Sequence, residues 1–141
     1  MAHPAQFMSR FVIPKSDYRM SLENADFRIN FALNPGSTSS PPTVLVYSPE
    51  AIDEQLNKAA SMYLEQTSVT KKGSGGIIVT LPRICQWFQE DFGSQEELLK
   101  KIVQFVKEDD RLVLERALTS GMNVNLRFSE FSFKCKPLAL G

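Results

Sequence analysis

His3 is the one histidine in this 141-residue chain, and it sits in a stretch, Met1 to Ile13, without hydrophobic periodicity. Nucleophilic catalysis by serine or cysteine ordinarily draws on an adjacent base, most often histidine, held within hydrogen-bond reach. An imidazole on an arm lacks that fixed geometry, so conventional Ser–His or Cys–His chemistry is not expected. A lysine or carboxylate site would need no histidine, but nothing in the pattern marks one. Cys85 and Cys135 lie inside apolar patterns and far apart, which suits buried core thiols in a reducing compartment better than a disulfide framework. Two distant cysteines and one terminal histidine do not make a zinc set. The acidic clusters Glu90-Asp91, Glu96-Glu97 and Glu108-Asp109-Asp110 lack the alternating ligands and turn glycine of a calcium loop. Two of them fall where helix starts favour acids. No catalytic, cofactor-binding or metal-ligating residue is therefore expected, and no cofactor.

Two further patterns bear on anionic partners. Lys71-Lys72-Gly73-Ser74-Gly75-Gly76 has the glycines of a phosphate cradle, but it lacks the Lys-Ser/Thr ending and precedes a strand rather than a helix. A hairpin or connector is the better reading. Phe128, Phe131 and Phe133, near Arg127 and Lys134, have the types that stack nucleic-acid bases, yet alternating aromatics in a strand more often pack a sheet face. Sixteen Lys and Arg balance sixteen Asp and Glu. A net charge of zero gives no basic footprint for nucleic acid or an anionic membrane surface, so neither is expected as a partner. No run of about 18 apolar residues exists to span a bilayer. Met1 to Ile13 lacks the apolar core of a secretory signal, which leaves the cytoplasm as the expected location.

The elements that must position any site follow from local pattern. An arm is expected over residues 1–21 and a single domain over 22–137. Phe27, Ile29, Phe31 and Leu33 alternate with Arg28, Asn30 and Ala32, which predicts a strand. Residues 34–42 are a loop by composition, and Thr43 to Tyr47 is β-rich enough to predict a second, buried strand. Ser48 as N-cap and Pro49 at the first helical position open a helix with Ile52, Leu56, Ala59, Ala60, Tyr63 and Leu64 on one face. Ile77 to Leu81 predicts another strand. Pro82 opens a short helix carrying Cys85, Trp87 and Phe88 and ending near Gly93.

Ser94 and Glu97 have capping-box spacing ahead of Leu98, Leu99, Ile102, Val103, Phe105 and Val106. Asp109 or Asp110 can cap a helix through Leu112, Leu114 and Leu118 that stops at Gly121. Met122, Val124, Leu126 and Phe128 predict a last strand, with a bend near Ser129-Glu130 because Phe131, Phe133 and Cys135 continue on the other parity. The mixed order of elements predicts an α+β fold: a small mixed or antiparallel sheet with helices packed on it.

Asp26-Phe27-Arg28-Ile29-Asn30-Phe31-Ala32-Leu33-Asn34, then Gly36-Ser37, Ser39 and Pro41-Pro42, followed by Tyr47-Ser48-Pro49-Glu50 and Leu56, form a long ordered series. It resembles the family called domain of unknown function 547, whose own pattern reads D-P-R-x-H-F-A-L-N-C-G-x-x-S-C-P-P. More loosely, Trp87-Phe88 with Asp91-Phe92 is similar to the family's W-x-x-x-D-F segment, and Phe128 to Phe133 to its closing aromatic strand. The resemblance marks Asn34, Pro35, Gly36, Ser37, Ser39, Ser40 and Pro41 as the candidate functional loop. The family's two loop cysteines correspond to Pro35 and Ser40, and its strand histidine to Asn30. Whatever those cysteines supply in relatives, as disulfide, metal ligand or nucleophile, is lost here at both positions. The resemblance also implies an upstream helical half that this sequence does not contain, so that apolar surface is left open.

Two functions from different classes follow. One is a non-catalytic protein-interaction or structural domain, using a protein partner or self-association through that surface. The alternative is a degenerate or inactive relative of a papain-like or transglutaminase-like thiol enzyme.

Overall fold

The computed structural model describes residues 26–73 and 75–135; the expected arm over 1–21, His3 with it, and Ser74 lie outside the described residues. The fold is α+β, with a three-stranded mixed sheet and helices against it. Strand β1 (Ser68–Lys72) pairs antiparallel with β2 (Gly76–Leu81), and β2 pairs parallel with β3 (Val124–Phe128). The Lys72–Gly76 connection is thus a hairpin turn, closed by the Gly75 N–H donating to the Lys72 carbonyl at 3.1 Å. A parallel pair needs a long crossover, and every element between residues 82 and 123 belongs to it.

Strand β2 is central and buries Ile77, Val79 and Leu81 on one face, as its apolar run predicts. Among the described residues six α-helices and two 3₁₀ turns precede or form the crossover on that core. After a short helix α1 (Ile29–Ala32) and a 3₁₀ turn at Pro49–Ala51 comes α2 (Ile52–Leu64). Leu56, Ala59, Ala60, Tyr63 and Leu64 of α2 are buried at the expected helical spacing, with Ile52 half-exposed at the margin. Ser48 is the N-cap of the 3₁₀ turn, with Pro49 just inside, but its hydroxyl makes no capping bond. Gln55 instead ties the entry to α2, its Oε1 accepting from the Ser48 N–H at 2.8 Å.

The expected short helix after Pro82 forms as two turns, α3 (Ile84–Trp87) and α4 (Gln89–Phe92). Ser94 then opens α5 (Gln95–Ile102) with the reciprocal capping box its spacing predicts. The Ser94 hydroxyl accepts from the Glu97 N–H at 3.2 Å, and the Glu97 carboxylate accepts from the Ser94 N–H at 2.7 Å. That backbone donor holds the Glu97 carboxyl below its ordinary value. Helix α6 (Glu108–Ser120) ends at Gly121 in the left-handed region at φ 64°, which a side chain would strain. Its N-cap is Lys107, not Asp109 or Asp110. Both acids lie in the first turn, and Asp110 accepts from the Val69 N–H at 3.2 Å, tying the helix to β1.

Three expectations fail, each for a physical reason. Residues 27–33 are not a strand: the chain turns into α1. The Asp26 carboxylate accepts from the Arg28 N–H at 3.0 Å, and the Arg28 guanidinium reaches Asp26 at 2.6 Å, Asp53 at 2.7 Å and Asn57 at 2.8 Å. That network ties the turn to α2, and its Arg28 hydrogen bonds hold the Asp26 carboxyl below its ordinary value. Of the four alternating apolar side chains only Phe27 and Phe31, four apart on one helical face, turn to the core. Ile29 and Leu33 are left exposed.

Thr43–Tyr47 is not a buried strand either, since it joins no sheet and leaves Val44 and Val46 in solvent. Finally, the chain leaves the sheet after Phe128, so Phe131 and Phe133 do not extend β3. Cys135, expected in a core, is exposed.

Candidate functional site

The loop after α1 is built around one carboxamide. Asn34 Oδ1 accepts from the Gly36 N–H at 2.9 Å, closing an Asx turn, while Nδ2 donates to the Pro41 carbonyl at 2.9 Å and to the Thr43 carbonyl at 3.3 Å. A single side chain therefore ties the start of the loop to its end. Gly36 holds φ at 70°, where a side chain would be strained. Pro35 and Gly36 are exposed, and Pro41 is buried.

Ser37 and Ser40 turn inward. Their hydroxyls share a 2.9 Å hydrogen bond and are almost wholly buried, and the Ser40 N–H donates to the Ser37 carbonyl at 3.0 Å. The distant tail of the domain seals the outside. Ser37 bridges Cys135 in antiparallel fashion, the Thr38 N–H donates to the Lys134 carbonyl at 2.8 Å, and Ser39 Oγ accepts from the Ser132 N–H at 2.6 Å. Gln66 closes the set from the end of α2, donating to the Ser39 carbonyl at 3.3 Å. Ser132, Lys134 and Gln66 are contributors that sequence reasoning missed. They act largely through backbone groups or one amide, and no residue pattern announces such contacts.

Behind the serines lies the Tyr63 phenol, buried beside Ser40 without a hydrogen bond of regular geometry. Desolvation raises its pKa, an effect that the Ser40 hydroxyl partly offsets. Cys85 is also wholly buried, and burial pushes its thiol up to about 12. A thiol so placed is protonated at neutral pH and shielded from reagents. A shallow cleft flanks the loop, lined among others by Asn34, Pro41, Thr43, Leu45 and Tyr47. Its free space of about 10 Å³ is close to that of one water molecule.

The other sequence candidates are dispersed into structural roles. Asp91 accepts from Asn30 Nδ2 at 2.9 Å, Glu96 pairs with Lys100 at 2.5 Å and Glu108 with Arg111 at 2.6 Å. Among the described residues no three His, Cys, Asp or Glu side chains gather as a metal set would. Phe128 packs on the core from β3, whereas Phe131 and Phe133 close on Trp87, with ring centroids 4.8 and 5.9 Å away. Among the described residues no helix is long and apolar enough to cross a membrane.

The class defined by this geometry is a small α+β domain with a self-bonded serine loop. Comparison with known proteins adds a family likeness. The family model "Protein of unknown function, DUF547" matches residues 2–64, so the resemblance carried by Asp26 to Leu64 is borne out. The match also takes in residues before Asp26 and ends at the close of α2. No curated protein and no solved structure matches the chain.

Proposed function

We propose that this chain is a non-catalytic protein-interaction or structural domain. The observation that carries this reading is the state of the loop's hydroxyls. Ser37 and Ser40 satisfy one another in a buried pair, and Ser39 is engaged by the Ser132 backbone. A nucleophile must be exposed to substrate, and both inward hydroxyls are buried and bonded to each other. The exposed apolar side chains Leu33, Val44 and Val46, next to that loop, support a surface that meets another protein. Two unbridged cysteines suit a reducing, cytoplasmic setting, and the balanced charge gives no support to nucleic acid as the partner.

The second reading, a degenerate relative of a thiol enzyme, draws on Ser40. In the resemblance it stands where relatives carry a loop cysteine, and it lies against Tyr63, itself close to Cys85. Burial of all three speaks for a packing role.

The test treats the folded chain with a fluorophosphonate and with iodoacetamide and maps adducts by mass spectrometry. The expected result is alkylation of exposed Cys135 alone. An adduct on Ser37, Ser40 or Cys85 of the folded protein would overturn the reading.

A further inference from the structure

After Phe128 the chain leaves the sheet and crosses to the serine loop. Ser129 is the fixed point of departure. Its N–H donates to the Leu81 carbonyl at 2.9 Å, and its own carbonyl accepts from Arg83 Nε at 2.9 Å. Beyond it, residues 130–135 are fastened at two places. Phe131 and Phe133 close on Trp87 and on each other, their own ring centroids 5.0 Å apart. The backbone meets the loop edge through the Ser132 N–H on Ser39 Oγ, the Lys134 carbonyl accepting from the Thr38 N–H, and the bridge of Cys135 to Ser37. This fastening is shallow. Phe133 is 75% exposed, Cys135 is exposed, and Phe131 and Trp87 are only half-buried, whereas Leu81 at the root is wholly buried. A segment that buries little apolar surface opens before the core does.

The two fastenings differ in what they recognise. At the loop edge residues 132–135 are engaged through backbone groups, which any extended chain can supply. Selectivity lies with Trp87, which takes two rings two positions apart. Resting on the interaction reading above, we infer that residues 130–135 are a strap that opens about Ser129 as a unit, and that the face beneath it binds an extended segment of a partner protein carrying two aromatic side chains two positions apart. The strap itself shows what that face accepts, since it fills both the loop edge and the Trp87 ring face. Being tethered, it holds the site at high effective concentration, and a partner segment competes with it. Closed, the strap also covers the loop edge against indiscriminate pairing.

Two measurements on the full chain test this. In native-state hydrogen exchange, the Thr38 amide, which donates to the Lys134 carbonyl, should be protected at least about tenfold less than the amides of β2. In the second, a capped peptide Ser-Glu-Phe-Ser-Phe-Lys-Ser, copying residues 129–135 with serine for the cysteine, is titrated while the fluorescence of Trp87, the sole tryptophan, is followed. Phe131→Ala loosens the chain's own strap, so that variant, shown folded by circular dichroism, should bind the peptide at least about fivefold more tightly than the parent. The peptide with alanine for both phenylalanines should not bind. Thr38 protected as well as β2 overturns the inference, and this readout needs no variant. So does a peptide that leaves folded Phe131→Ala unchanged, or one that binds equally well without its rings. None of these outcomes places a probe adduct on Ser37, Ser40 or Cys85, so failure here is distinct from failure of the non-catalytic reading.

Discussion

Replacing Phe92 by alanine is expected to destabilise the fold by about 3–5 kcal/mol, the range for emptying a buried aromatic site. Phe92 is wholly buried at the end of α4 and is the ring on which the first segment closes. Its centroid lies 5.4 Å from that of Phe27 and 5.9 Å from that of Phe31. Phe31 continues to Tyr63 of α2 at 5.8 Å, and Phe27 to Phe105 at 6.2 Å. Little else can move into the gap, because Lys101 already donates to the Phe92 carbonyl at 2.9 Å and fixes the local backbone. Urea unfolding followed by fluorescence gives the number. Phe133→Ala, three-quarters exposed, is the control and should fall within about 0.5 kcal/mol of the parent. A cost below about 1 kcal/mol for Phe92→Ala would show that this cluster does not couple residues 26–33 to the core.

Asn34→Ala is the second large effect, expected to cost about 1–2 kcal/mol. The loss comes from three backbone groups held by one carboxamide, namely the Gly36 N–H and the Pro41 and Thr43 carbonyls. The cost is moderate because the side chain is only half-buried and water can reach part of what it leaves. Its local consequence is sharper. Without the tie between residues 34 and 43, the Ser37–Ser40 pair and the contacts to Ser132 and Lys134 lose their frame. Hydrogen exchange at the Thr38 and Ser40 amides, which donate to the Lys134 and Ser37 carbonyls, should therefore quicken well beyond the global change. Asn34→Asp keeps only the acceptor toward Gly36 and should remain destabilised. Unchanged exchange at both amides would mean that the tail, not Asn34, organises the loop.

What was legible in the sequence was what local chemistry dictates. The Ser94–Glu97 box, the stop at Gly121, the apolar face of α2 and the run Ile77 to Leu81 each carry their signal within a few residues, and each forms as expected. Residues 27–33 misled because four apolar side chains at period two also place Phe27 and Phe31 four apart. Which spacing prevails was settled by Phe92, Phe105 and the Arg28 network, all distant in sequence. Strand β1 had no pattern to find, since Val69 is its one partly buried residue and its order comes from pairing with β2. Thr43–Tyr47, expected as a buried strand, is neither a strand nor buried, because a β-rich composition states a preference for pairing and not whether a partner is present.

The candidate loop was recognisable by its residues, and the Asx turn of Asn34 onto Gly36 is local enough to foresee. Its closure was not. Ser39 meets Ser132 across 93 positions, and Ser37 meets Cys135 through backbone. The reading of Cys135 as a core thiol failed for the same reason: alternation after Ser129 suggested a strand, but the chain left the sheet there and bound the loop edge instead.

On the reading proposed above, the loop between Asn34 and Pro42 holds the domain together and does not attack a substrate. Most directly, this is tested by assaying the purified chain against ester, thioester and amide substrates beside a Ser37→Ala, Ser40→Ala, Cys85→Ala triple variant. The predicted result is no turnover by the parent above that variant or above buffer. Turnover by the parent that vanishes on replacing one residue from 34 to 42 would contradict it.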